Sequence, residues 1–190
     1  KKVKDYNYIS KLMMYDFEKK SHFFYEYEHQ DLISSVLVSE TFGLAMSGGG
    51  DKTLVLHGLE SGKTIKRLDM KYGFLQCLFD LGTAVAVGDR NIVRLLDLQT
   101  REINQFEVKT GRKYINCMNL SMGGGDQNDK MALLVGGYKS NKMDKISIPK
   151  VIAEDGRDIL EMRNQTKNAE KIMKKMIDLQ NENKQLREEN

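Results

Sequence analysis

Two stretches decide the fold: ISSVLVSETFGLAMSGGGDKTLVLHGLESGKTIKRLDM (33–70) and LQCLFDLGTAVAVGDRNIVRLLDLQTREINQFEVK (75–109). Each reads as four short apolar strands joined by tight turns that carry Gly or Asp. One unit of roughly 40 residues thus occurs twice, and self-similarity at that period, in strands this short, is the signature of a propeller blade. A sandwich or a helical solenoid would not repeat in this way. No catalytic constellation stands out from these units.

Composition bounds the rest. At 40% hydrophobic and 30% charged, a chain of 190 residues is built to bury one or two modest cores, which excludes a disordered chain and a membrane protein. No apolar run is long enough to span a bilayer. The amino-terminal KKVKDYNYIS has lysines but no apolar stretch behind them, which argues against a secretory signal. Cys77 and Cys117 stand at matching places in successive units and read as a repeated small, buried position, so the expected compartment is reducing and cytoplasmic. A net charge of +3, with basic residues scattered and partnered by nearby acids, argues against nucleic-acid binding.

Motif tests for chemistry come back empty. GLESGKT (58–64) has three residues between Gly58 and Gly62-Lys63-Thr64, where a phosphate-cradling loop needs four, and TIKRLDM continues as a strand. SGGGDK (47–52) reads as a turn whose glycines permit positive φ. His22, His29 and His57 share no metal-ligand spacing with the cysteines, and no Ser, His and acid trio can be singled out. The expectation is a non-catalytic chain with no cofactor and no metal.

Taken in order, residues 6–17 are rich in strand formers, EKKS turns the chain, and HFFYEYEH is a second strand with Phe24, Tyr25 and Tyr27 supplying bulk. Tyr15-Asp16 occupies the place that His57-Gly58 and Leu96-Asp97 occupy in the two full units, so the chain enters mid-blade. A third unit opens at YINCMNLS (114–121), where Ile115-x-Cys117 repeats Leu75-x-Cys77. MGGGDQNDK (122–130) is then an exposed hairpin loop, MALLVGGY the second strand and KISIP the third, which the lone Pro149 stops because proline has no N–H to donate. The blade remnants are 6–29, 33–70, 75–109 and 114–149, and a boundary near residue 150 divides 1–150 from 151–190.

This pattern resembles a degenerate form of the WD-repeat β-propeller family, which ends its third strand with Trp-Asp. Here the slots hold Tyr15-Asp16, His57-Gly58 and Leu96-Asp97, so the aspartate survives twice and the tryptophan never. The family's buried tetrad of His, Ser, Asp and Trp implies His29, Ser47, Asp51 and His57 as its counterparts, with His29 ahead of Ile33, Ser47 ahead of Asp51 and Asp51 ahead of His57 at the family's spacings. The second unit has Lys71 in the His slot and Asp89 one residue out of register. Physically, a buried imidazole and carboxylate are tolerable only when they satisfy each other, so His29 bonded to Asp51 would tie the incoming loop to the strand turn. The cluster then reads as an internal staple.

Beyond Glu154 the apolar residues become sparse and their period becomes seven. Ala169, Met176 and Asn183 fall at a positions, and Ile172, Leu179 and Leu186 at d positions, the stripe of a two-stranded coiled coil. Asn183 at a favours two parallel strands in register, and Glu182 at g would meet Arg187 at e of the mate. The seam is short, and a weak parallel homodimer through 169–190 is expected. The alternative is a single amphipathic helix lying on the propeller face or standing in solvent.

Thirteen strands are too few for the commonest closed propellers, so the expected whole is longer, with further blades lying upstream or supplied by another chain. The resulting expectation is a mainly β fold, a partial WD-repeat-like β-propeller of about three blades plus a long C-terminal α-helix. Its function would be a protein–protein interaction scaffold that presents loops and edges to partners and self-associates through the coiled coil. The alternative is a regulatory or targeting portion of a larger enzyme, of kinase or ubiquitin-ligase type, with its catalytic domain upstream.

Overall fold

The computed structural model describes residues 8–70, 75–111, 113–121, 132–138 and 143–188. Among the described residues, thirteen strands in four antiparallel sheets, followed by one long helix, make the architecture of a partial propeller. The first sheet pairs β1 (Ser10–Asp16) with β2 (Ser21–His29). The second runs β3 (Ile33–Ser39), β4 (Leu44–Gly49), β5 (Thr53–Gly58) and β6 (Thr64–Asp69), and the third β7 (Leu75–Asp80), β8 (Ala84–Asp89), β9 (Ile92–Asp97) and β10 (Ile103–Lys109). The last holds β11 (Tyr114–Ser121), β12 (Ala132–Tyr138) and β13 (Asp144–Ser147), and α1 covers Lys150–Glu188. In every sheet the spatial order is the chain order, a simple meander.

The repeat extends to backbone detail. The register slips once in the first strand of each of the last three sheets, between Ile33 and Ser35, Leu75 and Cys77, and Ile115 and Cys117. A bulge conserved at one place bends each of these strands alike. The third-to-fourth-strand turns place Lys20, Gly62 and Arg101 at φ 51, 66 and 60. In two of them an aspartate side chain closes the turn: Asp16 Oδ1 accepts from the N–H groups of Glu18 and Lys19 at 3.0 Å, and Asp97 Oδ1 accepts from Gln99 and Thr100 at 2.8 and 2.7 Å. That local job gives aspartate a physical reason to recur at this turn. Gly58 takes the slot in the middle sheet, where Ser61 Oγ instead accepts the Lys63 N–H at 3.3 Å. GLESGKT is thus a hairpin turn leading into β6.

The cores lie between sheets. Leu44, Met46, Leu54 and Leu56 of the second sheet pack against Val85, Val87 and Leu96 of the third. Ala86, Val93 and Leu95 point the other way, against Ile115, Met118, Leu133 and Val135 of the last sheet. Alternate residues of one strand thus feed two cores, as the two-residue strand period requires. At the open end of the arc, β1 and β2 expose Met13, Tyr15 and Phe24.

Several sequence expectations need correction. Cys117 is exposed rather than buried, because the face of β11 it shares is turned away from the neighbouring sheet. The side chain of Cys77 lies outside the described residues, as do Lys71 and the 122–130 loop. In SGGGDK the positive φ falls on Lys52 (φ 65), while Gly48 and Gly49 belong to β4. Those glycines serve space instead: a Cβ on Gly49 would stand 2.8 Å from His29 Nδ1, and one on Gly50 would stand 2.6 Å from Asp31 Oδ2. The strand read as KISIP runs Asp144–Ser147, and Pro149 immediately precedes the helix, where its fixed φ suits a helix start. Asp89 is no turn residue but the fully buried last residue of β8, with Arg94 Nη1 3.8 Å away.

Replacing Asp97 with Ala removes both acceptors from its turn, and Asn keeps one oxygen in place. The expected loss on urea unfolding is about 1–3 kcal/mol for Asp97→Ala, with Asp97→Asn falling in between.

Candidate functional site

β2, β4, β5 and the turn between β4 and β5 bring four polar side chains together. His29, at the end of β2, places Nδ1 3.2 and 3.1 Å from the two carboxylate oxygens of Asp51 and Nε2 2.7 Å from Ser47 Oγ. Ser47 Oγ is in turn 2.9 Å from His57 Nε2. His29, Ser47 and His57 are almost wholly buried. Asp51 also accepts from the backbone N–H of Gln30 at 3.0 Å and of Thr53 at 3.1 Å, and from the Thr53 hydroxyl at 2.7 Å. Thr53 was not singled out by sequence reasoning, although a hydroxyl two residues after a turn aspartate is a natural local partner.

Donor and acceptor inventory gives the chain one direction when His29 is neutral. An ionised carboxylate only accepts, so His29 Nδ1 carries the hydrogen, and in the neutral ring Nε2 accepts from the Ser47 hydroxyl. The serine oxygen then accepts from the Nε2–H of His57. His57 Nδ1 is left as a buried lone pair with no hydrogen-bond partner. The His57 ring stands edge-on to Tyr25 at 5.1 Å, and the Tyr25 hydroxyl donates to the Leu59 carbonyl at 2.9 Å. Burial, and then the nearby His29, lower the His57 pKa from 6.5 to about 4. Burial pushes the Asp51 carboxyl up, but bonds from Thr53, His29 and Gln30 outweigh it and leave the group below its ordinary value.

A second arrangement joins the helix to the sheets. Ile152 and Leu160 pack on the core between the third and last sheets. Gly156 is buried against the loop after β7: a Cβ there would fall on the Leu81 carbonyl oxygen, and one on Gly82, itself at φ 91, would come 2.6 Å from the Gly156 carbonyl oxygen. Arg163 pairs with Asp80 at the end of β7 and donates to Thr41 Oγ1 at 3.0 Å and Ser39 Oγ at 3.4 Å beside β3. Asp80 also accepts the Gly82 N–H at 2.7 Å, so one carboxylate both closes a hairpin and holds the helix. The legible signal was Gly156, since a glycine kept inside a helix costs about 1 kcal/mol against alanine and needs a packing reason.

From Asn164 to Leu179 every residue of the helix is exposed. Of the six seam residues, Ala169, Ile172, Met176 and Leu179 lie in this stretch, with Ile172, Met176 and Leu179 at 61%, 57% and 57% exposure. The side chains of Asn183 and Leu186 lie outside the described residues. No helix among the described residues is long and apolar enough to cross a membrane.

No family model matches the sequence, and no curated protein does. Among solved structures, the chain is similar to the computationally designed Ika8 protein at a TM-score of 0.52 and 13% identity, over 66% of this chain and 36% of that one. It is also similar to Sqt1 of Saccharomyces cerevisiae (TM-score 0.48, 16% identity, 55% of this chain, 28% of that one). The third similarity is to the WD40 repeats of RRP9 (TM-score 0.47, 14% identity, 64% and 40%). The chain therefore spans less than half the length of each, and identities this low speak to fold alone.

Two measurements check these sites. Between pH 6.5 and about 4 the unfolded chain takes up a proton at His57 that the folded chain does not, so stability falls as pH falls through that window. Asp51, whose folded value lies below 3.8, adds its loss only at lower pH. Melting temperature against pH should show this decline, and His57→Phe should flatten it between 6.5 and 4 while lowering stability at neutral pH. For the helix, propensity alone says Gly156→Ala stabilises, whereas the crowding at Leu81 makes it destabilising by about 1–3 kcal/mol. Urea unfolding gives the sign, and faster amide exchange in 150–163 would locate the damage.

Proposed function

We propose that this chain is a non-catalytic protein-interaction scaffold, with the sheets of residues 1–150 as a rigid base and the helix of 151–190 as its self-associating arm. One observation carries the reading: the helix leaves the sheets with its apolar side chains at heptad spacing in solvent, Ile172, Met176 and Leu179 among them. Exposed apolar side chains at regular spacing are tolerated where another surface covers them. Met13, Tyr15 and Phe24 on the outer face of β1 and β2 support the same reading for the base. By analogy of fold, propeller-like sheets hold their loops and edges rigidly, which suits them to protein partners.

The His29–Ser47–His57–Asp51 cluster belongs, in this proposal, to the interior. Every hydrogen bond given above for these four side chains is made within the β2, β4 and β5 region, and none reaches a ligand surface. Its work is to fix the β2 end and the β4–β5 turn in one geometry.

Sedimentation equilibrium of the whole chain tests the self-association. The expected result is a rise from one chain to two as concentration increases through the micromolar range, abolished by Leu179→Ala combined with Leu186→Ala. A monomer at every concentration would overturn the reading.

A further inference from the structure

We propose that α1 has two opposed working faces, so that a second copy of this chain pairs along one side while the sheets stay docked on the other. The inference rests on the self-association reading and adds its geometry: two propeller units held on opposite flanks of one parallel, two-stranded coil.

The docked face is fixed by contacts. Ile152, Gly156, Leu160 and Arg163 recur every three or four residues, one side of a helix, and all four meet the sheets or their loops. At 3.6 residues per turn, Ile172 follows Arg163 by nine residues, about two and a half turns, and so lies on the opposite side. Met176 and Leu179, thirteen and sixteen residues after Arg163, fall about 40° and 20° to either side of Ile172. The seam therefore points away from the sheets. Had it pointed toward them, pairing would have required the Arg163–Asp80 contact and the Gly156 approach to break first.

The occupant is a second copy because the stripe complements itself. Asn183 falls at an a position, where an amide meets its own mate only in a parallel, in-register pair, and Glu182 at g faces Arg187 at e across that same register. An unrelated partner helix would need to supply both features. The anchorage stays clear of the seam: Arg163 is held from two sheets, by Asp80 at the end of β7 and by Ser39 at the end of β3 and Thr41 just beyond it, all on the side of the helix opposite Ile172.

Three variants of the whole chain, each also carrying Cys77→Ser and Cys117→Ser, test the arrangement. Met176→Cys puts a thiol in the seam. Lys174→Cys puts one eleven residues after Arg163, on the docked side. Under mild oxidation Met176→Cys should form a covalent dimer and Lys174→Cys should not. Arg163→Ala should speed amide exchange in 150–163 yet leave the dimer dissociation constant within about twofold, as independent sites require. A dimer in which Lys174→Cys cross-links and Met176→Cys does not would overturn the two-faced helix while leaving self-association standing, and so would a trimer. A dimer whose affinity changes by more than about twofold with Arg163→Ala would show that pairing and docking are coupled, which also overturns it. A chain that stays monomeric in sedimentation removes the self-association reading itself.

Discussion

In β8 all six residues are buried, with Val85 and Val87 feeding one core and Ala86 the other, so this sheet persists only while a neighbour lies against each face. At about 25 cal/mol per Å² of apolar surface, face-to-face burial is what holds the arc together, and no single sheet has a core of its own. The simple meander follows from it. A strand that must serve two cores cannot also wander between sheets, and each unit closes by short turns before the next begins. Polar groups and special backbone geometry are accordingly pushed to the strand ends. There the aspartate turns, the His29–Asp51 cluster and the Arg163 anchorage are all found.

The same constraint explains the two glycines at the base of the helix. A helix laid across strand ends can approach only as closely as its side chains allow, and Gly156 over Leu81 brings backbone against backbone. Ile152 and Leu160 can then reach the core between sheets. The helix is part of the fold over its first turns and independent of it afterwards.

Much of this was legible in the sequence. The strand count, the meander and the helix followed from period and patterning, because apolar runs bounded by Gly and Asp leave few other solutions. The resemblance to the WD-repeat pattern implied His29, Ser47, Asp51 and His57, and the structure joins them in one chain of contacts from Asp51 through His29 and Ser47 to His57. What was not legible depended on three-dimensional neighbours. Thr53 joins the cluster through a turn whose shape the sequence left open. Arg163 finds Asp80 eighty-three residues away, a pairing that no local pattern encodes. Cys117 was misread as buried because burial depends on which sheet lies against a strand's face, and its face of β11 is exposed.

The consecutive pairing of strands within each sheet has a kinetic consequence. Each hairpin closes a short stretch of chain, so the entropy of loop closure is small and any of the hairpins can form early. The stacking of one finished sheet on the next is then the slow event. Among the described residues the strongest contacts between sheets join neighbours, so an error in one sheet is felt most by those beside it, and the chain assembles in the manner of a linear array, unit by unit, with cooperativity set by the strength of each interface.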